Sequence, residues 1–233
     1  MDGYGGDQVR AAERPHLDAG EPLMQRAAAG LATIVGRLLD DPAERPGDGP
    51  GSVLLLVGSG DNGGDALFAG AHLAADGRHV AVLRVGSRVH EAGLAAALGA
   101  GAVLLDGPPE QVVTDAALGA DLVLDAVLGI GVHGASALRS PAREVVQAIR
   151  ELARDQRAPF VVAVDVPSGI DVDTGAVADD HVLQADVTVT FGGVKAGLLR
   201  GPGATLAGRI ELVDVGIADD LATVEPLVRT LGP

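Results

Sequence analysis

The stretch 53–77, VLLLVGSGDNGGDALFAGAHLAADG, constrains the fold more than any other part of the chain. Residues 53–57 form an apolar run of strand length with no polar face. That is the pattern of a strand buried on both sides within a parallel sheet. Gly58, Gly60, Gly63 and Gly64 follow; they strip side chains from the turn, letting backbone N–H groups approach a ligand and opening positive φ to the chain. From Asp65 onward, Ala66, Leu67, Ala69, Leu73 and Ala74 read as helix, with Gly77 as its C-cap. The free N–H groups at that helix start favour an anion. Strand, glycine turn and helix in this order are the signature of a nucleotide site.

Gly58, Gly60 and Gly63 also satisfy the dinucleotide fingerprint G-x-G-x-x-G. The second strand, 80–85, ends in Arg84-Val85, however, where a dehydrogenase shows an acidic residue for the ribose. Asp61 and Asp65 further place carboxylates among amides that would otherwise hold phosphate. No Gly-Lys-Ser/Thr follows, so the loop is not a P-loop. Taken as structure alone, it could be a tight strand–helix turn.

A chain of 233 residues fits one α/β domain, or one domain with extensions. Hydrophobic residues make up 47 % but aromatics only 2 %, so the core is built from Ala, Val and Leu. The net charge of −15 argues against nucleic acid and anionic membranes as partners. There is no cysteine, hence no disulfide, thiolate nucleophile or Cys-ligated zinc. No apolar run reaches membrane-spanning length, and the N-terminus lacks a signal-peptide core. These features describe a soluble, cytoplasmic protein.

Upstream of the glycine loop, 7–17 reads as a short helix that Pro15 ends or bends, and 21–39 as a longer one with Pro22 in its first turn and an apolar stripe through Leu23, Ala27, Leu31 and Leu38. The stretch 40–52 is a surface loop. Downstream come helix 91–98, strand 102–105, a weak helix at 110–117 and strand 121–125. A helix capped by Ser140-Pro141 then runs to about Arg154, followed by strands 160–164, 185–191 and 210–215. This alternation predicts a doubly wound, mostly parallel sheet with helices on both faces, a Rossmann-like three-layer sandwich. Residues 1–217 constitute the domain, and 218–233 read as a tail or linker.

In such a sheet, ligands bind beyond the carboxyl ends of the strands, near the switch in strand order. Three loops carrying unusual residues leave strand ends there: 58–65, 125–135 and 165–169. Asp125 closes an apolar strand and, partly desolvated, wants a cation or several N–H donors, unless it caps a helix or staples a loop. Asn62 offers an amide oxygen and Ser168 a hydroxyl. With Asp125 they form a hard oxygen set with one full charge, which suits a monovalent cation better than magnesium. Asp165, also at a strand end, suits acid/base work or a ribose hydroxyl. Lys195, between Gly193 and Gly197, is a long cation in an open loop, where a solvated lysine is the equal alternative. His133 lies in the second loop as a bystander.

GSGDNGGDA, LDAVLGIGVHGA, VVAVDVPSGIDVDTG and VTFGGVKAGLLRGPGA, together with LMQRAAAGLA and QVRAAE near the start, resemble the YjeF N-terminal domain family, the NAD(P)H-hydrate epimerases, over about residues 8–217. The resemblance implies interconversion of the R and S forms of hydrated NADH and NADPH at carbon 6 of the nicotinamide ring, repairing the cofactor in concert with a dehydratase. It implies substrate-binding residues Asp61, Asn62, Gly63, Gly64 and Asp65, then Gly129, Ile130, Gly131, Val132, His133, Gly134 and Ala135, and Asp165. It also implies a potassium ion on Asn62, Asp125 and Ser168, and a homodimer. The sequence departs from the family at Asp61, where the family has Asn, and at Ala66, where it has Gly.

The chemistry asks for a carboxyl that gives and takes a proton, Asp165 by preference, then Asp125 or Lys195. Two rival readings are an NAD-dependent oxidoreductase, disfavoured by the missing acid after the second strand, and a binding or scaffold module of the same fold. The presence of Asn62, Asp125, Asp165 and Ser168 together weighs against the latter.

Overall fold

The computed structural model describes residues 1–41, 51–131, 134–154 and 159–230. In chain order the elements are β1 (Asp2–Gly3), α1 (Gly6–Asp18), α2 (Leu23–Asp40), β2 (Ser52–Val57), α3 (Asp61–Ala75) and β3 (His79–Arg84). There follow α4 (Glu91–Gly99), β4 (Val103–Leu104), α5 (Pro109–Leu118), β5 (Leu122–Ala126), α6 (Ala142–Arg154) and β6 (Phe160–Val164). The chain closes with β7 (Val187–Phe191), α7 (Gly201–Leu206), β8 (Arg209–Val213), α8 (Ala218–Ala222) and β9 (Val228–Arg229).

β2 to β8 form one seven-stranded sheet in the order β4-β3-β2-β5-β6-β7-β8. Every pairing within it is parallel. The period-2 geometry of a strand explains why β2 reads as continuously apolar. Val53, Leu55 and Val57 pack into one core with α1, α2 and α3, whereas Leu54 and Leu56 pack into a second core with α5 and α6. Both cores are fully buried, and deleting one such Leu side chain typically costs about 2–5 kcal/mol. The three-layer α/β architecture expected from the sequence is therefore present, with a sheet that is parallel throughout.

Three local expectations change. α3 begins at Asp61 rather than Asp65, so the first glycine loop is already helix for half its length. α1 does not end at Pro15 but continues to Asp18. The N–H that proline lacks would have bonded the carbonyl of Ala11, which sits on the exposed side of the helix where water serves it. Ser140-Pro141 precedes α6, which starts at Ala142, and the Ser140 hydroxyl bonds Glu144 at 2.5 Å. The loop read at 40–52 lies mostly outside the described residues.

The stripe on α2 is absorbed by the chain's own core: Leu23, Ala27, Leu31, Val35 and Leu38 are all buried in it. The segment set apart as a tail or linker, over its described part, carries α8 and β9. Leu221 is buried in the first core, and β9 pairs antiparallel with β1, Asp2 opposite Arg229. His16 ties this segment to the start of α2 by bonding Glu21 at 2.7 Å and Asp220 at 2.9 Å. No helix among the described residues is long and apolar enough to cross a membrane.

Candidate functional site

The strand order reverses between β2 and β5, and their carboxyl ends meet there. The first loop is pressed hard against the second. A Cβ on Gly58 would lie 1.9 Å from the Val127 carbonyl oxygen, and one on Gly63 would lie 2.6 Å from the Gly58 oxygen. Neither position has a positive φ. Glycine is needed here because backbone approaches backbone, not because the chain turns left-handed.

That close approach brings Asn62, Asp125 and Ser168 together. Asn62, the second residue of α3, donates through Nδ2 to the Leu128 carbonyl at 3.1 Å. The Ser168 hydroxyl accepts from the Leu128 N–H at 2.9 Å and donates to the Leu128 carbonyl at 3.3 Å. Asp125, 1 % exposed at the end of β5, accepts through Oδ2 from the Ser168 N–H at 2.9 Å. Its other oxygen, Oδ1, is buried without a hydrogen-bond partner among the described residues, and so is Oδ1 of Asn62. Burial raises the Asp125 carboxyl above its ordinary value, against the bonds from Ser168 and Val127 that draw it down. Buried acceptors left unpaired are uncommon in folded proteins and costly. A carboxylate oxygen and an amide oxygen, both orphaned, beside a hydroxyl and a carbonyl are a set of hard oxygens of the kind that suits a hard cation.

Three residues before Ser168 stands Asp165, just past β6. It is the one non-glycine residue with positive φ among those described, at 67°. Asp is among the side chains that tolerate this region, and such conformations gather at functional sites. Its N–H donates to the Val189 carbonyl at 2.7 Å, which anchors the turn to β7. Its Oδ1 accepts from Thr190 Oγ1 and the Phe191 N–H, both at 3.2 Å, and from Lys195 Nζ at 2.5 Å.

Lys195 is not solvated, in contrast to one of the two readings of its sequence context. It is 1 % exposed and also donates to the Phe191 carbonyl at 2.8 Å. The N-terminal segment holds it there: the Tyr4 N–H bonds the Val194 carbonyl, and the Ala196 N–H bonds the Tyr4 carbonyl, each at 2.8 Å. A lysine that far from water requires its counter-charge, which Asp165 supplies.

The remaining candidates surround these two clusters. Asp61 is exposed at the first position of α3, and Asp65 lies one turn further along, half-buried. Burial raises the Asp65 carboxyl well above the usual carboxylate range, helped by the charges of Asp165 and Asp61 and opposed by Lys195. A Cβ on Gly64 would press on the His90 ring, and one on Gly129 on the Asn62 side chain. The Ile130 carbonyl accepts from Arg10, whereas Gly131, Gly134 and Ala135 are exposed. Val132 and His133 lie outside the described residues.

Sequence reading missed the part that α1 plays. Arg10 reaches the Ile130 carbonyl, and the Gly6 N–H donates to Asp173 Oδ1 at 2.8 Å, so α1 is fastened to the loops after both β5 and β6. Glu13, one turn beyond Arg10, is half-buried and within the field of Lys195, Asp165 and Asp61. The segment QVRAAE held part of the signal, since its Arg10 and Glu13 share one face at helical spacing with Gly6 just upstream.

The family pattern described as YjeF-related protein N-terminus matches residues 20–197, which include all three loops and Lys195. The chain belongs to this family. A family member from Clavibacter michiganensis subsp. michiganensis, named NAD(P)H-hydrate epimerase, is 50 % identical over 230 residues, covering 98 % of this chain and 95 % of the relative. One of the same name from Microbacterium testaceum is 49 % identical, covering 97 % and 82 %. The bifunctional NAD(P)H-hydrate repair enzyme Nnr of Mycobacterium tuberculosis is 43 % identical over 96 % of this chain, which spans 43 % of that longer relative. The crystal structure of yeast ynu0 superposes with a TM-score of 0.70 at 20 % identity, covering 84 % and 83 % of the two chains, and so shares the family's fold.

Proposed function

We propose that this protein is an NAD(P)H-hydrate epimerase, an isomerase that interconverts the R and S forms of hydrated NADH and NADPH at carbon 6 of the nicotinamide ring. The observation that carries the reading is the 50 % identity, across nearly the whole of both chains, to a protein of that name. The site supports it with a buried carboxyl, Asp165, at the end of the strand next to the switch point of the sheet, and an oxygen set suited to a cation near it.

The reaction leaves the oxidation state of the ring unchanged. The ring-nitrogen lone pair forms an N=C bond to carbon 6 as the C–O bond breaks, and the hydroxyl departs as water with a proton from a carboxyl. Water then adds to the other face, the N=C electrons return to nitrogen, and the added water gives its surplus proton to a base. Asp165 is the residue we assign to proton transfer. Its Oδ1 is fixed by three donors, while Oδ2 takes no hydrogen bond from the described residues. Lys195 holds that geometry. Asp125, with no counter-charge among the described residues and an orphan oxygen, suits ion binding better than proton transfer.

Asn62 Oδ1, Asp125 Oδ1 and the Ser168 hydroxyl are the atoms we assign to a potassium ion. Such an ion would place positive charge beside the anionic dinucleotide. The glycine-loop residues Asn62, Gly63, Gly64, Asp65 and Gly129 to Ile130 then form the walls against which the substrate is held. Cytoplasmic location and a homodimer stay part of the proposal; the dimer rests on the resemblance, because the apolar stripe of α2 is occupied internally. The bifunctional relative supports a link to a second repair step, for which the resemblance implies a dehydratase.

Purified protein given the S epimer of hydrated NADPH should bring it to the mixed epimers well ahead of buffer alone. Asp165→Asn should lose on the order of 10²–10⁴ of that acceleration while still binding the dinucleotide. Epimer exchange by the wild type no faster than in buffer would refute the assignment.

A further inference from the structure

An epimerisation that removes water from one face of a ring and returns it to the other has a proton to deliver on one side and one to collect on the opposite side. A single carboxyl whose Oδ1 is locked by Thr190, Phe191 and Lys195 is poorly placed to serve both. A second carrier is therefore expected close to the Asp165–Lys195 pair but on a different element.

α1 presents such a group. The helix is held over the carboxyl ends of β5 and β6 by Arg10 on the Ile130 carbonyl and by the Gly6 N–H on Asp173. Gly6, Arg10 and Glu13 follow one another on one face, and a Cβ on Gly6 would already lie 3.8 Å from the Ile130 oxygen. The face therefore looks onto the crevice. Glu13 takes no hydrogen bond or ion pair from the described residues, although it is half-buried. Arg10, three residues before it and within helical reach, is engaged by Ile130 and Asp7 instead.

We propose that Glu13 is the second proton carrier of this site, working opposite Asp165 on the hydrated nicotinamide ring. The proposal rests on the epimerase reading above. With Glu13 protonated and Asp165 ionised against Lys195, one epimer loses its hydroxyl as water using the Glu13 proton, and the water that adds on the other face gives its surplus proton to Asp165. The enzyme is then left in the complementary state, ready to run the reverse conversion, and no proton is gained or lost overall. Burial raises the Glu13 carboxyl above its ordinary value. Lys195 draws it down, Asp165 pushes it up, Arg10 draws it down and Asp61 pushes it up. Asp65, itself raised, lies in the same field. A carboxyl so placed holds its proton closer to neutral pH than a solvated glutamate does, as a proton carrier requires.

The test follows the S epimer of hydrated NADPH in ¹⁸O-labelled water, with wild type, Glu13→Gln and Glu13→Asp, each checked for an unchanged melting temperature. Glu13→Gln should lose about 10²-fold or more in epimer interconversion. It should nevertheless keep incorporating ¹⁸O into the starting epimer, because Asp165, once protonated, still expels and re-adds water on its own face. Glu13→Asp should recover part of the interconversion, and the pH profile of Glu13→Gln should lack one limb of the wild-type curve. Interconversion at the wild-type rate with an unchanged pH profile would overturn the proposal, and so would equal loss of interconversion and ¹⁸O exchange in a folded Glu13→Gln protein. Absence of epimerisation by the wild type would overturn the epimerase reading itself and this proposal with it.

Discussion

Asp125 and Asp165 stand at the carboxyl ends of neighbouring parallel strands, and both are almost sealed from water, at 1 % and 6 % exposure. Their surroundings are opposite. Asp165 has its own buried ammonium, Lys195, and two further donors on the same oxygen. Asp125 has the bond from the Ser168 N–H and no cation beside it among the described residues, and one of its oxygens is unpaired. Isolated buried charge is expensive. One carboxylate compensated from within and its neighbour uncompensated suit two different tasks: the first the fixed chemistry proposed for Asp165, the second the external charge proposed for Asp125.

The largest effect should come from removing the internal cation. Lys195→Met keeps the aliphatic bulk but leaves Asp165 buried without a partner. Breaking such a pair costs roughly 3–5 kcal/mol. For a chain of this size that is a drop in melting temperature on the order of 10 °C. The loss should shrink when Asp165 is also changed to Asn, because no charge is then stranded. A double variant no more stable than Lys195→Met would mean that the lysine acts through packing rather than charge, and the contrast with Asp125 would collapse.

A somewhat smaller effect should mark the external cation. Because burial raises the Asp125 carboxyl, the folded state binds its proton more tightly than the unfolded chain does. The penalty is absent below the ordinary carboxylate range, grows as pH rises through the folded value, and is complete above it. Without potassium at neutral pH, Asp125→Asn should therefore be at least as stable as wild type. Adding potassium at constant ionic strength should raise the wild-type melting temperature by a few degrees, since ligand at about a hundred times its Kd contributes about 2.7 kcal/mol. The Asn variant should not respond. A wild type indifferent to potassium, or an Asn variant that responds equally, would remove the ion from Asn62, Asp125 and Ser168.

What the sequence disclosed follows the same division. The sheet and its order of elements were legible because β2 and β5 are apolar on both faces, which only a covered parallel sheet explains. Asp125, Asp165 and Ser168 were legible because strand ends converge in such a sheet. Lys195 was not: flanking glycines look like an open loop, and its burial depends on Tyr4, almost two hundred positions away, clamping the segment around it. The turn glycines were placed correctly but for a different reason, since Gly58 and Gly63 answer to backbone crowding. Glu13 and the packing of 218–230 escaped for a common cause. Both depend on the N-terminal segment folding back over the site, and no local pattern encodes that return.

The smallest effect belongs to Asp61, where the chain departs from its family, and it tests whether the contrast between the two buried aspartates extends to a third on the surface. Asp61 is exposed and opens α3, whose N-cap, Gly60, has no side chain to bond the first free N–H groups. A carboxylate there complements the helix dipole, an effect of roughly 0.3–1 kcal/mol in general and weakened by salt. The same charge repels an anionic dinucleotide approaching those N–H groups, again within reach of screening. Asp61→Asn should therefore lower the melting temperature slightly and tighten dinucleotide binding a few-fold, both changes shrinking as ionic strength rises. Titrating the variant with NADP at low and high potassium separates the two sources of charge. If binding tightens equally at both, Asp61 acts on the ligand alone. If potassium affinity falls instead, its carboxylate belongs to the ion's field with Asp125, and the ion site reaches further toward solvent than Asn62. No change in either affinity would leave Asp61 a helix-start charge and nothing more.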